Sequence, residues 1–194
     1  MQLRTKRVLS KVVVLVGAGA IGLAALIGAV TGDQERVASL QVQARIAQDG
    51  YAQVNEVIDY DFGTAKSDKH GIYRMVPGLT TDAAITVRSP DAPDQFVVTN
   101  DWGGLEIKIG DPDKTVNGRR RYEIGYRIGG LMRGEELAFD AVGAAWEVPI
   151  RSATVDIAVP WVATDVRCDQ GRTGDTGGCE AEQVTPGHLV DRSL

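Results

Sequence analysis

The sequence predicts an all-β protein: an antiparallel β-sandwich of about nine short strands, preceded by one N-terminal hydrophobic helix. Three observations carry this. From Leu40 onward apolar and polar residues alternate with a period of two, the signature of half-buried strands. Glycine reaches 23 of 194 residues, and it falls with Pro and Asp at the joints between alternating runs, where turns need it. After residue 31 no stretch of convincing length repeats its apolar residues at helical spacing.

The N-terminus sets the compartment. Residues 1–11 (MQLRTKRVLSK) carry Arg4, Lys6, Arg7 and Lys11, while all 26 acidic residues lie further on. Residues 12–30 (VVVLVGAGAIGLAALIGAV) hold no charge, and at about 1.5 Å per residue they span roughly 28 Å, close to the thickness of a bilayer core. A cationic start, an apolar stretch and a polar exit at Thr31-Gly32-Asp33 describe a signal peptide or a membrane anchor over residues 1–32. Either way the positive-inside rule keeps the first residues in the cytoplasm and sends the rest across.

Gly17, Gly19 and Gly22 fit G-x-G-x-x-G, but a dinucleotide site needs a half-polar helix after the glycines and a βαβ unit. LAALIGAV is apolar all round and strands follow, so no nucleotide is expected. The acidic body, with a net charge of −5 for the whole chain, also argues against nucleic acid, whose phosphates require a basic surface.

Residues 33–39 read as a polar linker. Leu40, Val42, Ala44 and Ile46 form the inward face of a first strand, Gln48-Asp49-Gly50 a hairpin turn, and Val54, Ile58, Tyr60 and Phe62 mark its partner. Glu56, Asp59 and Asp61 on that second strand read as a solvated face. Further strands are expected at His70–Pro77, Ala84–Ser89, Phe96–Asn100, Leu105–Ile109, Arg121–Ile128, Glu135–Phe139, Trp146–Ile150 and Ala153–Val159, closing a β-sandwich domain over residues 40–164. Trp102, Trp146 and Trp161 read as core or sheet-edge aromatics. Residues 165–194 are polar and glycine-rich and read as a tail. Its Cys168 and Cys179, the two cysteines of the chain, are expected to form a disulfide in an exported domain.

Candidate chemistry is sparse. His70, one of two histidines, with Asp111 and Asp113 is the candidate set for an envelope hydrolase, which would need acid–base groups within hydrogen-bond reach in one cleft. No G-x-S-x-G or H-E-x-x-H is present. Tyr73 and Arg74, with Asp111 and Asp113, are candidate binding residues. Asp111, Asp113, Thr115 and Asn117 alternate as hard oxygen donors would, which suggests calcium-stabilised adhesion as another reading. The EF-hand pattern fails, since counting from Asp111 position 6 is Val116 and position 12 is Tyr122. No metal and no cofactor are assigned.

Ile58-Asp59-Tyr60-Asp61-Phe62-Gly63, His70-Gly71-Ile72-Tyr73-Arg74 with Pro77, Ile109-Gly110-Asp111-Pro112-Asp113 with Thr115-Val116, Tyr122-Glu123-Ile124-Gly125-Tyr126 and Trp146-Glu147-Val148-Pro149-Ile150 recur in order. On these segments the chain resembles the bacterial predicted-membrane-protein family called domain of unknown function 2207, from about residue 40 to 180. The resemblance implies an exported β-rich domain tethered by transmembrane helices, and no assigned reaction. Family members usually continue into further strands and hydrophobic spans, so a chain ending at Leu194 reads as a fragment or a truncated product. The expected function is a non-enzymatic, membrane-associated binding or assembly module on the extracytoplasmic face of a bacterial cell. Its expected partners are the membrane, through residues 12–30, and an envelope protein or glycan.

Overall fold

The structure, a computed structural model, describes residues 10–17, 34–64, 68–101, 103–171, 178–179, 181–185 and 188–193. Among them the fold is all β, without a helix. In chain order the strands are β1 (Ser10–Gly17), β2 (Arg36–Ile46), β3 (Ala52–Asp61), β4 (Gly71–Pro77), β5 (Thr86–Arg88), β6 (Phe96–Asp101) and β7 (Gly104–Gly110). The second half holds β8 (Arg119–Ile128), β9 (Met132–Arg133), β10 (Glu136–Asp140), β11 (Ala153–Ala158), β12 (Ala163–Gly171), β13 (Ala181–Thr185) and β14 (His188–Ser193). They form three sheets, ordered β12-β1-β10-β9, β13-β14-β11-β2-β3-β8-β5 and β4-β7-β6.

The large sheet is built on alternation. Leu40, Val42, Ala44 and Ile46 of β2 turn inward beside Ala52, Val54, Ile58 and Tyr60 of β3 and Tyr122, Ile124, Tyr126 and Ile128 of β8. The expected hairpin joins β2 to β3, with Gly50 at φ 80°, a conformation that glycine adopts without a Cβ penalty. The inward residues of the small β4-β7-β6 sheet, Ile72, Val76, Leu105, Ile107 and Ile109, belong to the same core. So do Leu137 and Phe139 of β10, which makes one contiguous hydrophobic cluster across all three sheets.

Several expectations need correction. The sheets are not purely antiparallel, for β11 lies parallel to β2 and β1 lies parallel to both β10 and β12. Parallel neighbours need a long crossover, and about a hundred residues of chain separate β2 from β11. The linker expected over residues 33–39 is already strand from Arg36, with Val37 fully buried. Residues Trp146–Ile150 make no strand; Ile150 alone bridges to Val37, and Pro149 offers its carbonyl to the Val37 amide (3.0 Å) but has no N–H to extend a ladder. The polar tail contributes β12, β13 and β14, and β14 pairs with β11 over six residues.

Where a helix is expected over residues 12–30, residues 10–17 form the strand β1. The rest of that segment, with Gly19 and Gly22, lies outside the described residues, as does Trp102. Among the described residues no helix is long and apolar enough to cross a membrane.

Cys168 and Cys179 form a disulfide with their Cα atoms 5.5 Å apart, tying β12 to the Gly178 bridge. A bridge closing so short a loop stabilises by about 2–3 kcal/mol in the chain-entropy model. Replacing both cysteines by serine is therefore expected to lower unfolding stability by that amount, measured by urea denaturation; an unchanged midpoint would contradict the structural role.

Candidate functional site

The most polar part of the core explains the geometry around it. On β3 the inward series Val54, Ile58, Tyr60 is interrupted by Glu56, and on β4 the inward series Ile72, Val76 is interrupted by Arg74. Both side chains are buried, Glu56 at 1% exposure and Arg74 at 2%. Glu56 is thus not part of the solvated face expected for this strand. Arg74 donates from Nε to Glu56 Oε2 and from Nη2 to Glu56 Oε1, each at 2.7 Å, a bidentate pair that joins the large sheet to the small one. The Tyr126 hydroxyl donates to Glu56 Oε1 at 2.6 Å, and Arg74 Nη1 and Nη2 reach the carbonyls of Met75 (2.5 Å) and Ala141 (3.5 Å). Burial works against the guanidinium charge, but the Glu56 carboxylate outweighs it and keeps Arg74 firmly protonated.

The Arg74 cluster fixes a wall of the recess beside it. The guanidinium lies 5.2 Å from the centre of the Trp146 ring, whose Nε1 donates to the Val142 carbonyl at 2.9 Å. Gly143 sits at φ 77°, and a Cβ there would come within 3.1 Å of Arg74 Nη1. Asp140 accepts the Gly143 amide at 2.9 Å; burial raises its pKa against the pull of that bond and of Arg74.

In front of Trp146 opens a recess of about 360 Å³, within the range of ligand-sized cavities. Tyr73 and Met75 of β4 line one side, and Ala145 to Val148 the other. Three carboxylates, Glu35, Glu106 and Glu147, face it, against the single ammonium of Lys69. Lys69 is paired with Glu35 (3.2 Å), whose other oxygen accepts the Tyr60 hydroxyl at 2.6 Å. Burial first, then Glu35, hold the Tyr60 phenol far above its ordinary pKa, so it stays a neutral donor. Among the described residues Glu106 and Glu147 have neither a hydrogen-bond nor an ion-pair partner. The recess therefore carries two unpaired carboxylates beside Tyr73 and Trp146, whose rings already meet the Lys108 ammonium (5.4 Å) and the Arg74 guanidinium (5.2 Å). A second recess, of about 470 Å³, is lined by Tyr51, Asp82 and Arg127, but Arg127 stacks on Tyr51 (4.0 Å) and pairs with Asp49 (3.3 Å).

Of the residues singled out from the sequence, Tyr73 lies in the recess, 54% exposed, and Arg74 lies behind it in the core. His70 and Asp111 meet at the end of the β4–β7 pair, outside the recess lining. There Gly71 pairs with Gly110 so closely that a Cβ on either would fall about 2 Å from a backbone oxygen, that of Ile109 or His70. The His70 Nδ1 contacts the Lys114 carbonyl at 3.0 Å, and the Val116 amide donates to the Lys69 carbonyl at 2.8 Å. Asp111 accepts the Lys114 ammonium (2.8 Å) and the Asp113 amide (2.9 Å), and these bonds, the ammonium first, lower its pKa. The local chemistry is that of a loop clip. Among the described residues no group of three His, Cys, Asp or Glu side chains is placed to hold a metal ion. Asp59 and Asp61 are likewise engaged, with Arg121 (2.8 Å) and Arg36. Glu35, Glu106 and Glu147 were not legible as a site, because they are scattered over 112 positions and only folding gathers them.

By fold and site this is a β-rich domain with a ligand-sized acidic recess. The family model described as "Predicted membrane protein (DUF2207) N-terminal domain" matches residues 36–187. The chain belongs to that family, as its sequence resemblance implied. No curated protein matches it. Among solved structures it is similar to native yeast LTA4 hydrolase, with TM-score 0.50 and 9% identity over 81% of this chain and 26% of that one. The bestatin complex of the yeast enzyme gives TM-score 0.51 at 8% identity over the same shares. An M1 zinc metallopeptidase from Deinococcus radiodurans (E323A mutant) gives 0.45 at 9% identity over 84% and 38%. The chain spans about a quarter of the length of the yeast enzyme, and at such identity the likeness is one of fold alone.

Two outcomes test the buried cluster. Glu56→Gln leaves the Arg74 charge buried and unpaired and is expected to cost about 3–5 kcal/mol. The triple change Glu56→Leu, Arg74→Met, Tyr126→Phe removes both charges and the hydroxyl together and is expected to recover most of that loss in urea unfolding. A triple variant no better than the single one would contradict the pairing. For Asp140 the sign runs the other way from an ordinary paired carboxylate. A folded pKa above the unfolded value means that its charge detracts from stability above that pKa, and the loss is recovered as pH falls through it. Asp140→Asn keeps the oxygen that accepts the Gly143 amide. It is expected to be more stable than the parent at neutral pH and equal to it below about pH 3.9, the unfolded value. A difference that does not change with pH would contradict this.

Proposed function

We propose that this domain is a non-catalytic binding module of a bacterial cell-envelope membrane protein, held on the extracytoplasmic side, and that its recess takes a cationic group of an envelope partner. One observation carries the reading: Glu106 and Glu147 stand unpaired beside Tyr73 and Trp146 in a ligand-sized recess. Unpaired carboxylates suit ammonium or guanidinium groups through charge-assisted hydrogen bonds. Export of the domain is supported by the cationic, then apolar, N-terminus, by the Cys168–Cys179 bridge, and by membership in a family described as membrane proteins.

The hydrolase reading through His70, Asp111 and Asp113 has less support. The His70 ring is engaged by a backbone carbonyl and Asp111 by Lys114, and neither faces the recess. Calcium adhesion through the same loop is weakened because the Asp111 oxygens already serve Lys114 and the Asp113 amide. The enzymes of similar fold lend this chain no activity.

Nα-acetyl-lysine methylamide is a suitable probe. Calorimetric titration of the chain is expected to show weak binding that falls with added salt, as a charge-driven contact should. Binding is expected to drop at least about tenfold, one power of ten for each 1.4 kcal/mol lost, in the double variant Glu106→Gln, Glu147→Gln. Equal binding by the variant would rule the recess out as the site.

A further inference from the structure

The wall of the recess formed by β4 is also the edge of a sheet. Among the described residues β4 pairs with β7 and with no other strand. The direction of its remaining backbone groups follows from the register. The Gly110 amide donates to the Gln95 carbonyl at 2.8 Å, which turns Gly110 toward β6. Gly71, its partner across β4–β7, is therefore in a non-hydrogen-bonded pair, and antiparallel strands alternate. Gly71, Tyr73 and Met75 thus aim their N–H and C=O groups away from β7. These are residues that line the recess. The Met75 carbonyl is taken by Arg74 Nη1, which leaves the Tyr73 pair, the Gly71 pair and the Met75 amide facing the cavity.

Exposed edges are commonly guarded by charge, proline or a bulge. Pro77 closes the far end of β4, since it has no N–H to offer in the outward register. Between Gly71 and Met75 the single charge on the strand is Arg74, which is turned inward and neutralised by Glu56, and the outward side chains, Tyr73 and Met75, are uncharged. An open edge of five residues, about 17 Å long, therefore runs beside unpaired carboxylates.

We infer that the recess binds an extended polypeptide segment carrying a lysine or arginine, which adds to β4 as a further strand through Gly71, Tyr73 and Met75 and sets its cation against Glu106 and Glu147. The ladder supplies affinity without regard to sequence, and the carboxylates select a basic residue at one position. This rests on the cation-binding reading above and extends it from a functional group to a polymer. Among the described residues β6 likewise has no strand on its outer edge, but the acidic recess does not border it.

The test uses the full chain and three probes: capped Thr-Val-Thr-Lys-Thr-Val-Thr, the same peptide N-methylated at alternate amides, and Nα-acetyl-lysine methylamide. The unmodified peptide is expected to bind at least about tenfold more tightly than the small amide, and N-methylation in the register that faces β4 to remove that gain. Hydrogen exchange at the Tyr73 and Met75 amides is expected to slow at least about tenfold with the peptide and to stay unchanged with the small amide. If the small amide binds but the peptide gains nothing and these amides keep their rates, strand addition is overturned while the cation site stands. If neither binds, both fall. If the peptide slows exchange in β6 instead, the edge is misassigned and the inference fails. Glu106→Gln with Glu147→Gln, both on the recess surface, is expected to weaken the lysine peptide but not its Lys→Gln counterpart.

Discussion

The bidentate contact between Arg74 and Glu56 is the constraint on which the rest of the molecule depends. It is the charged pair in the core of the described residues, and it crosses from the small sheet to the large one. Taking two ions out of water is costly, and a buried pair stabilises a fold less than hydrophobic residues of equal volume often would. What the pair contributes is position. A guanidinium with Glu56 on one side, the Met75 and Ala141 carbonyls around it and the Trp146 ring over it has one arrangement that satisfies its donors. That arrangement fixes β4, the turn at Gly143 and Trp146 together, and those elements are the walls of the recess.

The same pair accounts for a stretch of sheet edge, Gly71 to Met75, that carries no outward charge. A strand whose charge points inward and is neutralised there leaves its outward face to uncharged Tyr73 and Met75. Two of the segments that carry the family resemblance, His70–Arg74 and Ile109–Asp113, are partners, locked where Gly71 and Gly110 approach too closely for any side chain. Their residues define the end of the β4–β7 pair and the loop beyond it. The recognisable motif is thus largely scaffold, and the unpaired chemistry lies beside it.

The large sheet was legible because its signal is local. Period-two alternation in β2, β3 and β8 shows directly which faces are buried, and Asp49-Gly50 marks the hairpin between the first two. Elements whose strand character comes from distant partners were not legible. The polar sequence of β13 and β14 looks like a tail until β11 offers an edge to pair with. Trp146–Ile150 alternates well enough for a strand, yet Pro149 and the packing of Trp146 against Arg74 hold it as an irregular wall. The disulfide followed from compartment and cysteine number, and it is present. Of the site, Tyr73 and Arg74 were visible as unusual residues in a specific motif, but their opposite roles were not. A clue existed in Glu56 and Arg74, each breaking an apolar series at an inward position, since two opposite charges on inward faces need each other. Glu35, Glu106 and Glu147 gave no such clue, because nothing in local pattern brings three separate exposed or half-buried acids into one recess.

Glu56 holds Arg74 charged and shielded from water. Nuclear magnetic resonance of the Arg74 side chain tests it most directly. A resolved Nε–H signal is expected at neutral pH, exchanging slowly with solvent and giving through-space contacts to the Trp146 ring and to Tyr126. A rapidly exchanging Arg74 Nε–H, with no contact to either ring, would contradict it.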